Sequence, residues 1–444
     1  MLDSIPPPGA PQTRRILFAS LIGTTIEFFD FYIYATAAVL VFPRLFFPKG
    51  DPATALLQSF ATFALAFFAR PIGSALFGHF GDRIGRKATL VTALLTMGIS
   101  TVCIGLLPTY TSIGVFAALL LALCRLGQGI GLGGEWGGAV LLATENAPPG
   151  KRAWYGCFPQ LGAPIGFLCS TGVFLLMNNN LTDAQLFSWG WRAPFLASAV
   201  LVLVGLYVRL QLVETPAFKR SVAQGERVRV PFLVVFAKYP RELILGTLGA
   251  TTTFAIFYLM TVFALGWATG ALGFDRRHFL ILQMISVLFF GLTIPFSALV
   301  ADRIGERVML IIATLLIIVF GCAFQPLFSG HDTTKVLLFL ALGFGVTGLT
   351  YGPLGSALAG LFPTAVRYTG TSLAFNLAGI LGASLAPPIA TLLATHYGVA
   401  YVGYYLSAGG LITLIALLLI KGDGKTEQYA ADRAVKATGL GEPE

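Results

Sequence analysis

The sequence feature that most constrains the fold is a succession of about twelve apolar stretches, each near the roughly 20 residues that a helix needs to cross a bilayer. Only 11% of the 444 residues are charged and 56% are hydrophobic, whereas a soluble domain has about 25% charged residues. We therefore predict an all-α membrane protein. The expected spans are 16–42, 53–80, 88–107, 112–143, 153–177, 190–212, 241–268, 278–300, 307–326, 335–361, 368–395 and 399–420.

The spans fall into two groups of six. The longest polar stretch between spans, 213–240, separates the groups, and we predict that it is a cytoplasmic linker. The remaining predicted units are a cytoplasmic N-terminus (1–15), an N-terminal six-helix half (16–212), a C-terminal six-helix half (241–420) and a cytoplasmic tail (421–444).

Two short motifs occur twice, about half a chain apart. The charged turn at 78–87 contains the sequence Asp-Arg-Ile-Gly and returns in part at 302–307. The pattern Pro-x-x-x-Arg at 148–152 returns at 363–367. Repeats at this spacing, between apolar spans, are typical of membrane proteins built from two related halves. We therefore predict that the two six-helix halves are pseudosymmetric.

Basic residues collect on one side of the predicted bundle. Most of the 29 Lys and Arg residues fall on alternate loops, which by the positive-inside rule predicts that both termini are cytoplasmic. The same bias accounts for the net charge of +9, so lipid is an expected partner and nucleic acid is not. The first apolar stretch has no cleavage site after it, so we expect a retained helix and not a signal peptide.

The motifs of metal sites and of common enzymes are missing from the sequence. The cysteines lie inside apolar stretches without metal-ligand spacing, and neither an HExxH motif nor a complete P-loop is found. We therefore predict no metal, no cofactor and no enzymatic activity.

Five charged residues stand out within the predicted spans, away from the helix ends and all in the first half: Glu27, Asp30, Arg70, Arg125 and Glu135. Such a group costs at least about 2.5–3.5 kcal/mol at bilayer depth, so it persists only where it faces protein or water, usually with a partner. We take these residues as candidates for a functional site. Ion pairs that only hold the helices together are the alternative.

Glu27 and Asp30 are three residues apart and share one helix face. Two carboxylates this close in a low dielectric resist being charged together, so one is expected to hold a proton. We therefore predict that both take part in proton coupling. The alternative is that arginines on neighbouring helices neutralise them and that they serve packing alone.

Arg125 and Gln128 are one turn apart in a glycine-rich stretch, 124–138, that permits close helix approach. Arg125 is near the middle of its span, where a guanidinium can bind a substrate carboxylate bidentately or pair with Asp30 when the site is empty. Gln128 is a candidate contact beside it. Glu135, nearer the cytoplasmic end, fits a structural ion pair equally well.

Arg70 precedes Pro71, at which we expect its helix to break. This arginine is a second candidate for anion binding, with a structural plug as the alternative. Other polar side chains within spans are candidates for the lining of a cavity, although each is more often a helix-to-helix hydrogen bond. They include Tyr34, Gln160, Tyr258 and Asn376.

The stretch 78–87 resembles the loop motif of the major facilitator superfamily, in its usual place between the second and third helices. Stretches 26–32, 70–73 and 125–135 resemble the metabolite:proton symporter branch, which includes transporters of proline and betaine, α-ketoglutarate and shikimate. In detail, the chain resembles an enterobacterial inner-membrane metabolite transporter. The resemblance covers nearly the whole chain. It implies a plasma-membrane protein with twelve helices and a central site exposed alternately to either side.

The resemblance also implies roles for charged residues in the loops. Asp82 and Arg86, with Arg83 and Gly85 between them, are expected to form a cytoplasmic latch between the halves. The second loop has Ala298 in place of the leading glycine and Glu306 in place of a basic residue, so its latch is expected to be weaker or differently connected. The other predicted structural and gating residues are Glu135, Arg152, Asp302, Arg303 and Arg367.

Together these observations predict a monomeric, proton-coupled symporter that imports a small organic acid or zwitterion. Proton rather than sodium coupling follows from the resemblance alone. An exporter or antiporter and an uncoupled facilitator of the same fold stay open. A transporter-like nutrient sensor is a further alternative, but it usually needs a longer signalling extension than the tail after residue 420.

Overall fold

The computed structural model describes residues 10–48, 51–84, 86–210 and 231–420, with the side chains in these ranges except 10–15, 81–87 and 365. Twelve long helices and no strands occur in this part of the chain. Nine of the helices are uninterrupted: α1 (Ala10–Leu40), α2 (Pro52–Ile84), α3 (Arg86–Leu106), α5 (Arg152–Asn180), α6 (Arg192–Leu210), α8 (Arg276–Ile304), α9 (Glu306–Cys322), α10 (Thr333–Gly360) and α12 (Val399–Leu419).

The other three helices are interrupted. Helix α4 consists of Val115–Gly133 and Trp136–Glu145. Helix α7 consists of Pro240–Tyr258 and Ala264–Gly270, joined by the π-helical turn Leu259–Phe263. Helix α11 consists of Arg367–Gly379 and Ala386–Tyr397, joined by the π-helical turn Ile380–Ser384. A short helix, Pro231–Lys238, precedes α7.

Length and composition fit a membrane-spanning bundle. Eleven of the described helices are long and apolar enough to cross a membrane, and α9, with 17 residues, is only slightly shorter than the usual span of about 20. Most of the helices begin and end within a few residues of the predicted spans. The predicted all-α, twelve-helix fold is therefore confirmed.

The packing of the helices repeats from one half to the other. In the first half α1 packs on α5, α2 on α4 and α3 on α6, and in the second half α7 packs on α11, α8 on α10 and α9 on α12. Each pair of the second half is a pair of the first half with six added to both numbers. The halves meet where α2 packs on α11 and α5 on α8. Exchanging each helix for its counterpart in the other half, α2 for α8 and α11 for α5, turns one contact into the other.

Because successive helices run in opposite directions, their connections alternate between two ends of the bundle. We call the end with the connections around 85, 146–151, 305 and 361–366 the basic end, after Lys151, Arg152, Arg303 and Arg367. The opposite end carries the connections around 41–51, 181–191, 271–275 and 398 and is called the vestibule end.

The expected break at Pro71 is wrong, because α2 continues through this residue. Proline removes one backbone hydrogen bond, but a broken helix in lipid would leave several backbone groups unsatisfied, so continuing the helix costs less. Helix α4 also supports this stretch from outside: a side chain at Gly133 would collide with the carbonyl oxygen of Arg70.

Some predictions fall outside the described residues. They concern the side chains of Asp82, Arg83 and Arg86, the position of Gly85, the first nine residues, most of the linker (211–230) and the tail (421–444). The predicted latch of the first half and the predicted domain boundaries in these stretches stay predictions.

Candidate functional site

Both halves contribute to a small cavity in the centre of the bundle. Its volume is about 20 Å³, enough for about one water molecule. Arg70 is the one charged residue in the lining, and seven of the lining side chains are aromatic. The lining consists of Phe28 and Tyr32 on α1, Arg70 on α2, Ala163 on α5, Thr253, Phe254, Phe257 and Tyr258 on α7, Phe290 on α8, and Thr347 and Tyr351 on α10.

A larger cavity of about 880 Å³ opens at the vestibule end, lined by both halves. An aromatic layer, formed by the rings of Phe63, Phe67 and Tyr258, separates it from the central cavity. Tyr258 on α7 lines the central cavity, and Gly266 further along α7 lines the larger one. At this depth the Tyr258 ring contacts Phe63 and Phe67 of the first half, with ring centroids 5.7 and 5.5 Å apart.

The basic end is closed by hydrogen bonds between the halves. Asp302 on α8 accepts from the backbone N–H groups of Ala153 (2.9 Å) and Trp154 (3.0 Å) in the first turn of α5. A carboxylate is favourable there because the helix dipole is positive at its N-terminus. Asn376 on α11 donates to the hydroxyl of Ser74 on α2 at 2.6 Å.

Further contacts between the halves lie between this closure and the central cavity. The Trp136 ring stacks on Phe375 with centroids 3.4 Å apart. Gln160 accepts a hydrogen bond from the Trp136 indole at 2.8 Å and donates to the carbonyl of Tyr351 at 3.0 Å, and the Tyr368 hydroxyl donates to the carbonyl of Gly134. The molecule is therefore open at the vestibule end down to the aromatic layer and closed at the basic end.

A cluster of buried charges lies beside the cavity. Arg209 on α6 forms an ion pair with Glu135 and donates to the carbonyl of Leu90 at 2.5 Å. Glu27 is within Coulombic range of Glu135, Arg70 and Arg209. The Oε2 atoms of Glu27 and Glu135 and the Nε atom of Arg70 have no hydrogen-bond partner.

Arg209 was missed by the sequence analysis, because it lies near the end of its span. It is only 5% exposed, and its partner Glu135 lies on another helix. No sequence signal separates it from other basic residues at span ends, because the pairing is set by how α6 packs in the half.

Asp30 is fully buried and has different neighbours from Glu27. Its Oδ1 atom accepts a hydrogen bond from the Ser198 hydroxyl on α6 at 2.5 Å, and its Oδ2 atom has no partner. Thr101 lies beside it, and Glu135 is the carboxyl that acts on its charge. Thus Glu135 is a close neighbour of both Glu27 and Asp30.

Arg125 is fully buried and does not line the central cavity. Its Nη1 atom donates to Gln128 at 2.8 Å, and Gln128 donates to Thr101 at 2.7 Å. Its Nε and Nη2 atoms have no partner, and no ion pair joins it to Asp30 in the described residues. The guanidinium is 4.0–5.0 Å from the ring centroids of Phe31, Tyr34 and Phe63.

The other predicted residues occupy different places. Among the predicted substrate contacts, Arg70 and Tyr258 line the central cavity, whereas Tyr34 donates to Thr62 at 3.0 Å outside it. Gln160 and Asn376 bridge the halves as described above. Of the predicted gating residues, Asp302 bridges the halves, Arg303 is exposed, Arg152 is half-buried, and Arg367 donates to the carbonyl of Phe362 at 3.1 Å.

Two family descriptions match the chain. The family described as "Sugar (and other) transporter" matches residues 16–229, and "Major Facilitator Superfamily" matches residues 243–441.

Relatives of similar length span nearly the whole chain. The inner membrane metabolite transport protein YhjE of Escherichia coli K12 is 58% identical over 411 residues, covering 91% of this chain and 93% of the relative. The shikimate transporter of the same strain is 35% identical, with coverages of 92% and 95%. Its proline/betaine transporter is 31% identical, with coverages of 96% and 85%.

Solved structures share the fold. A structure of the proton:xylose symporter XylE from E. coli, bound to 6-bromo-6-deoxy-D-glucose, superposes with a TM-score of 0.72 at 17% identity, covering 93% of this chain and 95% of the other. At this identity the similarity concerns the fold alone.

Proposed function

Because this chain belongs to the major facilitator superfamily of membrane transporters, we propose that it imports a small carboxylate-bearing metabolite together with a proton. The observation that carries this proposal is the position of Arg70. It is the one charged residue in the lining of a cavity that both halves enclose, and the carboxyl group of Glu27 is within Coulombic range of it. An anion that binds there contacts both halves at once.

The substrate we propose is small, with one carboxylate and an apolar or ring-shaped body. A guanidinium binds a carboxylate bidentately, and the aromatic lining provides apolar faces around it. Shikimate, proline and betaine, which the names of two relatives give as their substrates, each combine a carboxylate with a compact body. The cavity must widen to take them, which we assign to separation of the aromatic layer.

Alternating access requires two states that substrate and proton bias by differential affinity. In our proposal the vestibule end faces the periplasm and the basic end faces the cytoplasm, in keeping with the positive-inside rule. Glu27 and Asp30 are the carboxyls that the sequence predicts for proton coupling, and of these we propose Glu27, which is within Coulombic range of Arg70. Arg125 and Gln128 support the first half from outside the cavity, and Asp302 is part of the cytoplasmic gate.

The test uses purified protein in liposomes that contain a pH-sensitive dye. Shikimate, L-proline, glycine betaine, succinate and glucose are added outside, one at a time. We expect internal acidification with at least one of the carboxylates and none with glucose, and a protonophore should abolish accumulation of the active compound. Arg70→Lys should suppress the signal, whereas Arg277→Lys, an exposed arginine outside the lining of both cavities, should not.

The direction of the proton flux distinguishes the alternatives. Alkalinisation on addition of a substrate would indicate an antiporter, and uptake without any change of pH would indicate an uncoupled facilitator. Binding in a thermal-shift assay without uptake of any compound would favour a sensor. Each of these results would overturn the symporter proposal.

A further inference from the structure

We infer that Glu27 and Glu135 form one shared proton site, which takes up a single proton each time a carboxylate binds to Arg70. This inference rests on the proposed function and assigns its coupling step to particular residues. Glu135 is placed next to Glu27 by packing of α4 against α1, and both are nearly fully buried, with exposures of 1% and 2%.

The charge balance of the cluster carries the inference. Glu27 and Glu135 provide two negative charges, and Arg70 and Arg209 provide two positive charges, so the empty cluster is neutral. The carboxylate of an anionic substrate such as shikimate, bound to Arg70, adds one net negative charge in a low-dielectric environment, where an uncompensated charge is costly. One added proton restores neutrality, which predicts a ratio of one proton per carboxylate.

The hydrogen bonds place this proton between the two carboxyl groups. Arg209 holds Oε1 of Glu135, while Oε2 of Glu135 and Oε2 of Glu27 have no partner. Buried polar atoms normally have partners, and a purely structural ion-pair network would satisfy them. A proton on either carboxyl gives the pair a donor and an acceptor, so protonation supplies the missing hydrogen bond.

The groups around Glu27 are consistent with a switch. The side chains that act on its charge are Glu135, Arg70 and Arg209, and Glu27 is in turn within Coulombic range of Tyr32 on α1 and Tyr351 on α10. Arg70 is the one cation that also lines the cavity. A carboxylate that binds Arg70 therefore competes with Glu27 for the same positive charge, which favours the protonated pair. Release of the proton returns Arg70 to Glu27 and weakens substrate binding.

Asp30 and Arg125 are hydrogen-bonded to groups outside the cluster, although Glu135 also acts on the charge of Asp30. Asp30 is held by Ser198, and Arg125 is joined to Thr101 through Gln128. Neither lines the central cavity. A substrate on Arg70 thus leaves the charge of Asp30 and Arg125 unchanged, and the shared proton resides on neither.

Infrared difference spectroscopy tests the shared proton without a substrate. The full-length protein in lipid is perfused alternately with acidic and neutral buffer, and the C=O band of protonated carboxyl groups is recorded. We expect Glu27→Gln and Glu135→Gln each to abolish the same band, and Glu242→Gln, at the half-buried start of α7, to leave it intact. Survival of the band in Glu27→Gln or in Glu135→Gln would overturn the inference. So would loss of the band in Asp30→Asn if both of those variants keep it.

Proton stoichiometry tests the coupling. With shikimate, the monocarboxylate of the panel that carries no positive charge, the wild type should move one proton per carboxylate. Glu135→Gln should lower this ratio toward zero while exchange of labelled for unlabelled substrate continues. An unchanged ratio contradicts the inference. If the wild type moves no protons with any compound, the proposed symport fails, whereas the infrared result still decides whether the proton is shared.

Glu135→Gln leaves Arg209 buried without its ion-pair partner, which can prevent folding. The double variant Glu135→Gln with Arg209→Gln removes both charges and keeps the cluster neutral. We expect it to fold and to lack the band of the shared proton. Because its empty cluster is neutral, Glu27 alone should still take up one proton with the carboxylate, so the proton ratio should be that of the wild type. A folded double variant that keeps the wild-type band would refute the role of Glu135, and one that moves no protons would refute the charge balance.

Discussion

At the residue scale, the two buried arginines of the first half differ in what surrounds them. Arg70 lines the central cavity and lies 4.6 Å from the ring centroid of Phe31. Arg125 is enclosed by aromatic rings and bonded to Gln128. The same residue type therefore provides a proposed binding group in one place and supports the helical packing in the other.

We expect Arg70→Lys to reduce kcat/KM for uptake by about 10- to 100-fold. A lysine keeps the charge but loses the planar pair of donors that matches a carboxylate, and a hydrogen bond to a charged group contributes about 1.5–3 kcal/mol. Initial uptake rates in proteoliposomes measure the effect, with Arg277→Lys as the matched control. Uptake at the wild-type rate would remove Arg70 from the substrate site.

We expect Arg125→Lys to act mainly on stability. The ammonium group loses part of the stacking on the rings of Phe31 and Tyr34 and the fixed geometry toward Gln128, for a loss of about 1–3 kcal/mol. Thermal unfolding of the purified protein should show a lower midpoint than Arg70→Lys. If stability is unchanged but substrate affinity falls, Arg125 is a substrate contact as the sequence analysis predicted.

The sequence could predict which residues are unusual but not how they are paired. Any charge within an apolar span is conspicuous, so Glu27, Asp30, Arg70, Arg125 and Glu135 were all identified. Which of them faces a cavity depends on the rotation of each helix about its axis. The ion pair of Glu135 with Arg209 depends on how α4 and α6 each pack against α1 and α3, and neither property is encoded in local spacing.

At the element scale, the glycine-rich part of α4 lets this helix lie directly against α2. A side chain at Gly129 would collide with the backbone of Ala66, and one at Gly133 with the backbone of Arg70 and Ser74. The contact fixes the position of Arg70 relative to the cavity. The sequence predicted this close approach from the density of glycines.

We expect Gly133→Ala to destabilise the protein by about 1–3 kcal/mol, because the new methyl group must push two backbones apart. It should also reduce uptake, since the displaced backbone carries Arg70. The matched control is Gly345→Ala in α10, where an added Cβ meets no atom within 4 Å; this change should be neutral or slightly stabilising. Thermal unfolding and uptake of both variants test the prediction, and equal behaviour of the two would contradict it.

The helices were largely predictable, but their irregularities were not. Long apolar stretches have no stable alternative to a helix in lipid, so the twelve spans follow from their length. The π-helical turns in α7 and α11 carry no comparable signal. The turn in α7 is supported by Gln283 on α8, which donates to the carbonyls of Met260 and Thr261 at 2.9 Å, so it depends on tertiary contacts.

At the scale of the whole molecule, the pseudosymmetric halves carry very different charges in their interior. The buried ionic network beside the central cavity, formed by Glu27, Arg70, Glu135 and Arg209, lies entirely in the first half. The second half contributes mainly aromatic rings and hydroxyl groups to the cavity. The halves therefore share an architecture, while the proposed chemistry is divided unequally between them.

The basic end is held closed in part by a contact between the two halves: Asp302 of the second half caps the N-terminus of α5 in the first half. We expect Asp302→Ala to shift the population toward a state open at the basic end. Loss of a hydrogen bond to a charged group costs the closed state about 1.5–3 kcal/mol, which corresponds to a shift of about 10- to 100-fold.

Cys157 reports this opening, because it is fully buried on α5 and within Coulombic range of Asp302. In a variant that keeps only this cysteine, Asp302→Ala should accelerate labelling by N-ethylmaleimide in proportion to the shift. Asp332→Ala is the matched control: Asp332 caps its own helix, α10, at the vestibule end through Thr334 at 2.9 Å, so its loss breaks no contact between the halves. Equal labelling rates in the two variants would mean that capping of α5 does not hold the basic end closed, and that the stacked rings of Trp136 and Phe375 suffice.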